Sequence, residues 1–349
     1  MVSSFIHKCV TCRRYRSTPL GQKMGNLPSD RLEPGPPFTY VGMDCFGPFF
    51  ISDRRREIKR YGLLFTCLTS RAIHLETVPS MDTDAFINAL RRFMSIRGPV
   101  RSLRCDQGSN FVGGVSQLQN AVCQVDDQMI KQFLLDNSCD FLFNPPHASH
   151  QGGIWERQIR SARNVLSVLL GSDGHQLNDD GLRTLMYEVA NIVNSRPLTA
   201  VGDPTSPVPL SPNQLLTMKS NVVLPPPGEF QSADLYSRKH WRRVQHLANA
   251  FWERWRREYL LQLQERKKWT HKHRNLQIGD VVLVIDDSLP RCQWKLGRIT
   301  EVFPGADNLV RKVKLVLGDP RQGDKRRKLT TLERPIHKLI LLLENEQKD

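Results

Sequence analysis

Asn144-Pro145-Pro146-His147-Ala148-Ser149-His150-Gln151-Gly152-Gly153-Ile154-Trp155-Glu156-Arg157 is the stretch on which the reading of this chain turns. Two prolines work against a helix in its first half, and Gly152-Gly153 ends the turn-rich approach. From there a helical period takes over. Ile159, Ala162, Val165, Leu166 and Leu169 fall on one face, and Arg157, Arg160 and Arg163 on another. Glu156 is a single carboxylate at the head of that helix. Standing alone, such an acid is explained by complementing the positive end of the helix dipole.

Two other acids sit where a catalytic partner is needed. Asp44 interrupts the apolar, strand-like run Phe38-Thr39-Tyr40-Val41-Gly42-Met43-Asp44-Cys45-Phe46-Gly47-Pro48-Phe49. Asp106 ends a short strand in Val100-Arg101-Ser102-Leu103-Arg104-Cys105-Asp106-Gln107-Gly108-Ser109-Asn110-Phe111. An acid before a glycine turn is also a common turn device, which would account for Asp106 by itself. Asp44 has no such bland explanation, because a carboxylate in the middle of a strand is costly without a cation or hydrogen bonds. Two strand acids and one helix acid, in this order, can converge on a pair of divalent metal ions.

The three-part pattern Gly42-Met43-Asp44-Cys45-Phe46-Gly47-Pro48, Cys105-Asp106-Gln107-Gly108-Ser109-Asn110-Phe111 and His150-Gln151-Gly152-Gly153-Ile154-Trp155-Glu156-Arg157 resembles the integrase catalytic core of retroviruses and LTR retrotransposons. The wording from Phe143-Asn144-Pro145-Pro146 to Trp155-Glu156-Arg157 is closest to the BEL/Pao group. The second and third acids are 50 positions apart, beyond the retroviral gap, and the excess falls in residues 122–135. Similar spacing occurs in BEL/Pao-like enzymes.

The resemblance implies an α/β chain with a ribonuclease-H-like core, in which strands one and four are neighbours and bring Asp44 beside Asp106. It implies that Asp44, Asp106 and Glu156 are catalytic and hold two Mg²⁺ or Mn²⁺ ions, hard cations that suit carboxylate oxygens. The implied reaction is 3′-end processing followed by strand transfer of element DNA into target DNA. Arg157, Arg160 and Arg163 would then meet DNA phosphates. Asn110, Gln151, Asn144 and His147 are candidates for the rim of the cleft. Two other readings remain: a ribonuclease-H-type nuclease, and a catalytically idle retroelement-derived DNA-binding or scaffold protein.

The charge distribution agrees with a DNA partner. The 349 residues carry a formal +15. Residues 238–349 hold 26 Lys and Arg against 14 Asp and Glu, so most of the excess lies in the C-terminal third. No uninterrupted apolar run is long enough to span a bilayer, and the N-terminus lacks the features of a signal peptide. Of the eight cysteines, Cys45, Cys67 and Cys105 sit in apolar strand contexts, as reduced thiols in an intracellular protein would. A nuclear or cytoplasmic location is expected.

Five segments are expected. Residues 1–16 carry Cys9 and Cys12 at the spacing of half a zinc site. The resemblance places two zinc-binding histidines upstream, so the chain is expected to begin inside that module as its remnant. Residues 17–37 are a Pro- and Gly-rich linker, 38–217 the core, and 218–233 a second linker. Within the core a charged turn is expected at 53–57 after the first strand, an amphipathic helix over 83–97 started by Asp82 or Thr83, and another over 181–196. Short strands are expected near the C-terminus over 280–285, 294–303, 310–317 and 336–343. Residues 234–349 are expected to form a long basic helix, over about 234–270, followed by a small SH3-like β-barrel. The stripe Trp241, Phe251, Trp255 and Tyr259 on that helix either packs within its own chain or joins subunits of a homo-oligomer, which two-ended insertion requires.

Overall fold

The computed structural model describes residues 9–10, 29–54, 56–106, 139–144, 153–200, 209–219, 223–263, 274–317 and 330–345. At 105–106, 141–144, 153–159, 199–200 and 209 the description covers the backbone alone. The chain divides into Met1–Glu33 and Pro34–Asp349. In the first unit, the turn of 3₁₀-helix Ser29–Arg31 is described. Cys9 is described, while its expected zinc partner Cys12 lies outside the described residues.

The second unit begins with a mixed sheet. Its strands are β1 (Tyr40–Asp53), β2 (Arg56–Cys67), β3 (Ile73–Val78), β4 (Ser102–Asp106) and β5 (Asp140–Asn144), in the order β3-β2-β1-β4-β5. β1–β2 and β2–β3 are antiparallel, whereas β4 runs parallel to both β1 and β5. Helix α1 (Thr83–Arg97) connects β3 to β4. The Asp82 carboxylate accepts from the Ala85 N–H at 2.7 Å to cap it, and Gly98, at φ 89°, ends it.

β1 is covered on both faces, and its alternation decides what goes where. Val41 and Met43 join Leu63, Phe65, Phe86, Leu90 and Phe93 in a cluster beneath α1. Phe46 faces the opposite way, into a second cluster with Leu64, Ile73 and Leu75. Across from Phe46 stands Gly62, where a Cβ would lie 2.5 Å from the Phe46 ring, so this position must be glycine for the ring to lie flat on β2.

The first strand was expected over 38–49, before a charged turn at 53–57. Instead β1 continues to Asp53, and β2 begins at Arg56. The reason is a bulge between Phe46 and Phe49, where Gly47 takes φ 119°. The extra residue shifts the phase, so that Phe49 and Ile51 bury on the same side as Phe46.

That side is closed by α2 (Gly153–Asp173) and α3 (Asp179–Asn194). α2 contributes Ala162, Val165, Leu166 and Leu169, and α3 contributes Leu182, Leu185, Met186, Val189, Ile192 and Val193. α3 starts two residues earlier than the expected helix over 181–196, because the Asn178 side chain accepts from Gly181 N–H. It ends at Asn194, two residues short of the expected end, and Arg196 follows just beyond it, its guanidinium fully buried and donating to Val193 O and Arg71 O, each at 2.7 Å. Burial lowers the Arg196 pKa to about 10. The short strands β6 (Thr199–Ala200) and β7 (Pro209–Leu210) pair with each other before helix α4 (Pro212–Thr217).

The second half of the unit begins with helix α5 (His240–Leu263). Asp234, expected as its start, lies in a 3₁₀ turn; its carboxylate accepts from Gln231 N–H and from Arg242, and the helix begins six residues later. Residues 264–270, the remainder of the expected helix, lie outside the described residues. Val244, Leu247, Phe251, Trp252, Trp255 and Tyr259 belong to the same cluster as α2, α3 and Phe46. Three of the four residues in the aromatic stripe are therefore buried in their own chain, which removes the stripe as a surface between subunits. Trp241 is the exception, half exposed beside Phe230 and Arg242.

Beyond α5 lie β8 (Val281–Val284), β9 (Lys295–Pro304), β10 (Val310–Leu317), β11 (Thr331–Pro335) and β12 (Leu339–Leu343), an antiparallel sheet in the order β11-β10-β9-β8-β12. Of the last segment, expected as one strand over 336–343, Ile336–Lys338 form a 3₁₀ turn and the strand begins at Leu339. Trp294 joins this sheet to α5, lying edge-on to Trp252, with centroids 4.9 Å apart, and to Tyr259 at 5.6 Å. Arg291, at the same junction, donates to Gln245 O and Asn249 Oδ1 of α5 and to Glu188 of α3. Among the described residues no helix is long and apolar enough to cross a membrane.

Because Trp255 is stacked on both Phe251 and Tyr259 at 1% exposure, Trp255→Ala should cost about 3–5 kcal/mol in chemical denaturation. The loss should appear in the melting of the whole Pro34–Asp349 unit. A variant in which only the C-terminal sheet loosens would contradict this shared core.

Candidate active site on the central strands

Asp44 lies in the middle of β1, on the face that carries Phe46. Parallel pairing of β1 with β4 puts Met43 opposite Cys105, so position 106 is the residue of β4 next to Asp44. The expected adjacency of the two strand acids is thus present in the backbone. Asp106 is also the last residue of β4 and pairs with Asn144 of β5, which places the candidate-rim residue Asn144 in the adjoining register.

Glu156 is on the first turn of α2, and Arg163 follows it by seven residues. Seven residues are two turns, about 10 Å along the axis, so the two positions share a face of the helix. The Arg163 guanidinium Nη1 donates to Asp44 Oδ2 at 2.9 Å. This ion pair lays the face bearing positions 156 and 163 over the strand bearing Asp44. Both side chains are about three-quarters covered, where a charge-assisted bond is stronger than on an open surface.

Of the three arginines expected to meet phosphates, Arg160 is exposed. Arg163 is instead engaged with Asp44. The side chains of Asp106, Glu156 and Arg157 lie outside the described residues, as do Asn110, His147 and Gln151 altogether. Arg104 was not singled out in the sequence. It is half buried, pairs with Gly42 and lies two positions before Asp106, so it shares the sheet face of the acids. Strand alternation from Asp106 is the signal that could have found it.

Among the described side chains no three His, Cys, Asp or Glu residues gather as a metal cage. The chemistry of the donor set can still be tested at Asp44. An acid on a covered central strand is stabilised by positive charge, and a guanidinium meets this one. Carboxylates at 44 and 106 on adjacent strands, with a third at 156 on the overlying helix, are hard oxygen donors that fit a small divalent cation.

On the opposite face lies a second polar group, separate from these acids. His74 and Glu76 of β3 are 2% and 5% exposed beneath α1. Arg92 Nε donates to Glu76 Oε2 at 2.9 Å, His74 Nε2 lies 3.0 Å from Glu76 Oε1, and Arg97 Nε donates to His74 Nδ1 at 3.3 Å. Burial alone would push the Glu76 carboxyl up, but the bonds to His74 and Arg92 outweigh it and hold it below the ordinary glutamate range.

The matched family model is described as a family of unknown function (DUF5641), over residues 239–342, which span α5 and nearly all of the C-terminal sheet. No curated protein matches the chain. Among solved structures, similarity extends to a chain of the simian T-cell lymphotropic virus intasome in complex with PP2A regulatory subunit B56 gamma. Identity is 12% and the TM-score 0.37, covering 98% of this chain and 90% of that one. The magnesium-bound HTLV-2 integrase catalytic core domain, in a trimeric form, is 14% identical with a TM-score of 0.33, covering 52% of this chain and 97% of that one. At such identities and scores these likenesses add no weight to any functional assignment.

Because the Glu76 pKa is depressed on folding, its contribution to stability is full above the unfolded glutamate value of about 4.3 and drains as pH falls through the lower folded value. Glu76→Gln should therefore flatten the acid limb of a stability-versus-pH curve from about pH 5 downward. An unchanged acid limb would assign that slope to other carboxylates.

Proposed function

We propose that the chain is an integrase of the retroviral and LTR-retrotransposon type, of the BEL/Pao group, acting by 3′-end processing and strand transfer. The single observation carrying this reading is the Asp44–Arg163 contact, which fastens the helix of Glu156 over the two strands of Asp44 and Asp106. The motif resemblance and the basic C-terminal third support it independently.

In this reading Asp44, Asp106 and Glu156 would hold Mg²⁺ or Mn²⁺. Bound there, such ions activate an attacking oxygen and stabilise a leaving one in phosphodiester transfer. The chain's own residues do the rest. The covered strands β1 and β4 hold two of the acids at a fixed spacing, and α2 brings the third. Arg160, exposed one turn from Arg163, positions the phosphate backbone without reading sequence. Water or a DNA 3′-hydroxyl is the nucleophile, so no Ser or Tyr is required.

The organisation we assign is a ribonuclease-H-like core over 38–217, followed by α5 and an SH3-like barrel that holds DNA. The protein would work on DNA in the nucleus or cytoplasm, as a homo-oligomer that supplies one centre to each element end.

Labelled LTR-end duplexes test the reaction. Glu156→Gln and Asp44→Asn should each abolish Mn²⁺-dependent strand transfer while far-UV circular dichroism stays unchanged. Normal transfer by either variant removes that residue from the centre. Cleavage confined to RNA–DNA hybrids would instead indicate a ribonuclease-H-type nuclease, and absence of any cleavage a DNA-binding scaffold.

DNA holding is tested separately. Arg311, Lys312 and Lys338 are exposed on the C-terminal sheet and its 3₁₀ turn. Replacing all three by Gln should weaken duplex binding and reduce the slope of log K against log salt by up to about 0.9 per lost phosphate contact. An unchanged slope would move the DNA contact elsewhere.

A further inference from the structure

We propose that Arg163 is a built-in counter-ion of the acid cluster, occupying the Asp44 carboxylate until a divalent cation takes it and releasing towards DNA phosphate when that happens. The inference rests on the integrase reading above and adds a device that couples cation binding to DNA binding.

The argument starts from the strand. Asp44 sits on a strand covered on both faces, between Met43 in one apolar cluster and Phe46 in the other. A carboxylate there is costly without positive charge or hydrogen bonds against it. Arg163 supplies it at 2.9 Å, from a helix anchored by Ala162, Val165 and Leu166 on either side of the arginine in sequence. The guanidinium is thus delivered by a rigid element, and breaking the contact needs only a change of side-chain rotamer.

A divalent cation held by Asp44 would bring two positive centres to one carboxylate, and like charges at such spacing repel. The longer, more flexible partner yields. Arg160, three residues earlier on α2, is already exposed, so a released Arg163 lies one turn from a second arginine at the same helix surface. Two guanidiniums at that spacing suit successive phosphate oxygens. Cation binding then frees a phosphate ligand, and phosphate binding removes a competitor from Asp44. By linkage each event favours the other to the same extent.

The test is isothermal titration of MnCl₂ into the full chain without DNA, comparing the wild type with Arg163→Ala, Arg163→Gln, Arg163→Lys and Asp44→Asn. Removing the competitor should tighten Mn²⁺ binding about fivefold in both the Ala and the Gln variant, the factor expected for an ion pair worth about 1 kcal/mol. The Lys variant, which keeps the charge, should stay within about twofold of wild type. Two neutral replacements guard against one that misfolds. If neither binds Mn²⁺ more tightly while Asp44→Asn abolishes binding, the counter-ion role is overturned and the integrase reading survives. If Asp44→Asn binds Mn²⁺ as the wild type does, the acid cluster is not a cation site and both fall. A second measurement uses a short duplex: Mn²⁺ should strengthen its binding to wild type but not to Arg163→Gln, and equal enhancement in both would break the coupling.

Discussion

Strand β1 is covered on both faces, and the cost of seating a carboxylate in such a strand determines what must surround position 44. The even face looks towards α2 and α3, and the odd face towards α1. Once Asp44 is on the even face, positive charge reaches it from that layer, and Arg163 brings it at 2.9 Å. The same phase puts the ring of Phe46 over Gly62 and, after the bulge at Gly47, buries Phe49 and Ile51 on the side of Phe46. A one-residue slip of β1 would put Asp44 beneath α1, among Phe65, Phe86 and Phe93, with no arginine of α2 in reach.

Much of this was legible in the amino-acid order where the cause is local. Helix α1 could be read to its ends because the Asp82 cap and the Gly98 stop are short-range signals. The neighbourhood of Asp44 and Asp106 was legible once the three motif pieces suggested which strands pair, and the β1–β4 register agrees. What was illegible depends on contacts between distant segments. Nothing near Gly47 announces that the strand continues to Asp53. Asp234 looks like the start of a helix, until its carboxylate is seen turned onto Gln231 and Arg242. Arg163 belonged to a basic stripe by periodicity, and only the seat of α2 on the sheet shows it engaged with Asp44.

The aromatic stripe of α5 carries a related lesson about composition. Its basic flanks suggested a partly solvated helix, and the linker before it suggested a separable domain. Phe251, Trp252, Trp255 and Tyr259 instead fill the layer behind α3, and the Tyr259 hydroxyl donates to Pro197 O just past the end of α3. Large aromatic side chains bury most of their surface wherever they pack, and charge on the far face of a helix does not report on the near one.

That doubly seated helix also limits how the chain can change length. The near face of α5 is fixed to the core from Val244 to Tyr259, while the C-terminal sheet and its junction hold the same helix from Gln245, through Arg291, to Leu260, which meets Leu283, Leu296 and Ile340. One residue inserted within that span would rotate every contact beyond it by about 100° about the helix axis and displace it by about 1.5 Å. Only additions close to whole turns, such as seven residues, keep both seats in phase. Among relatives of this chain, α5 should therefore vary in steps of about two turns or not at all, while the connections between the strands drift freely in length.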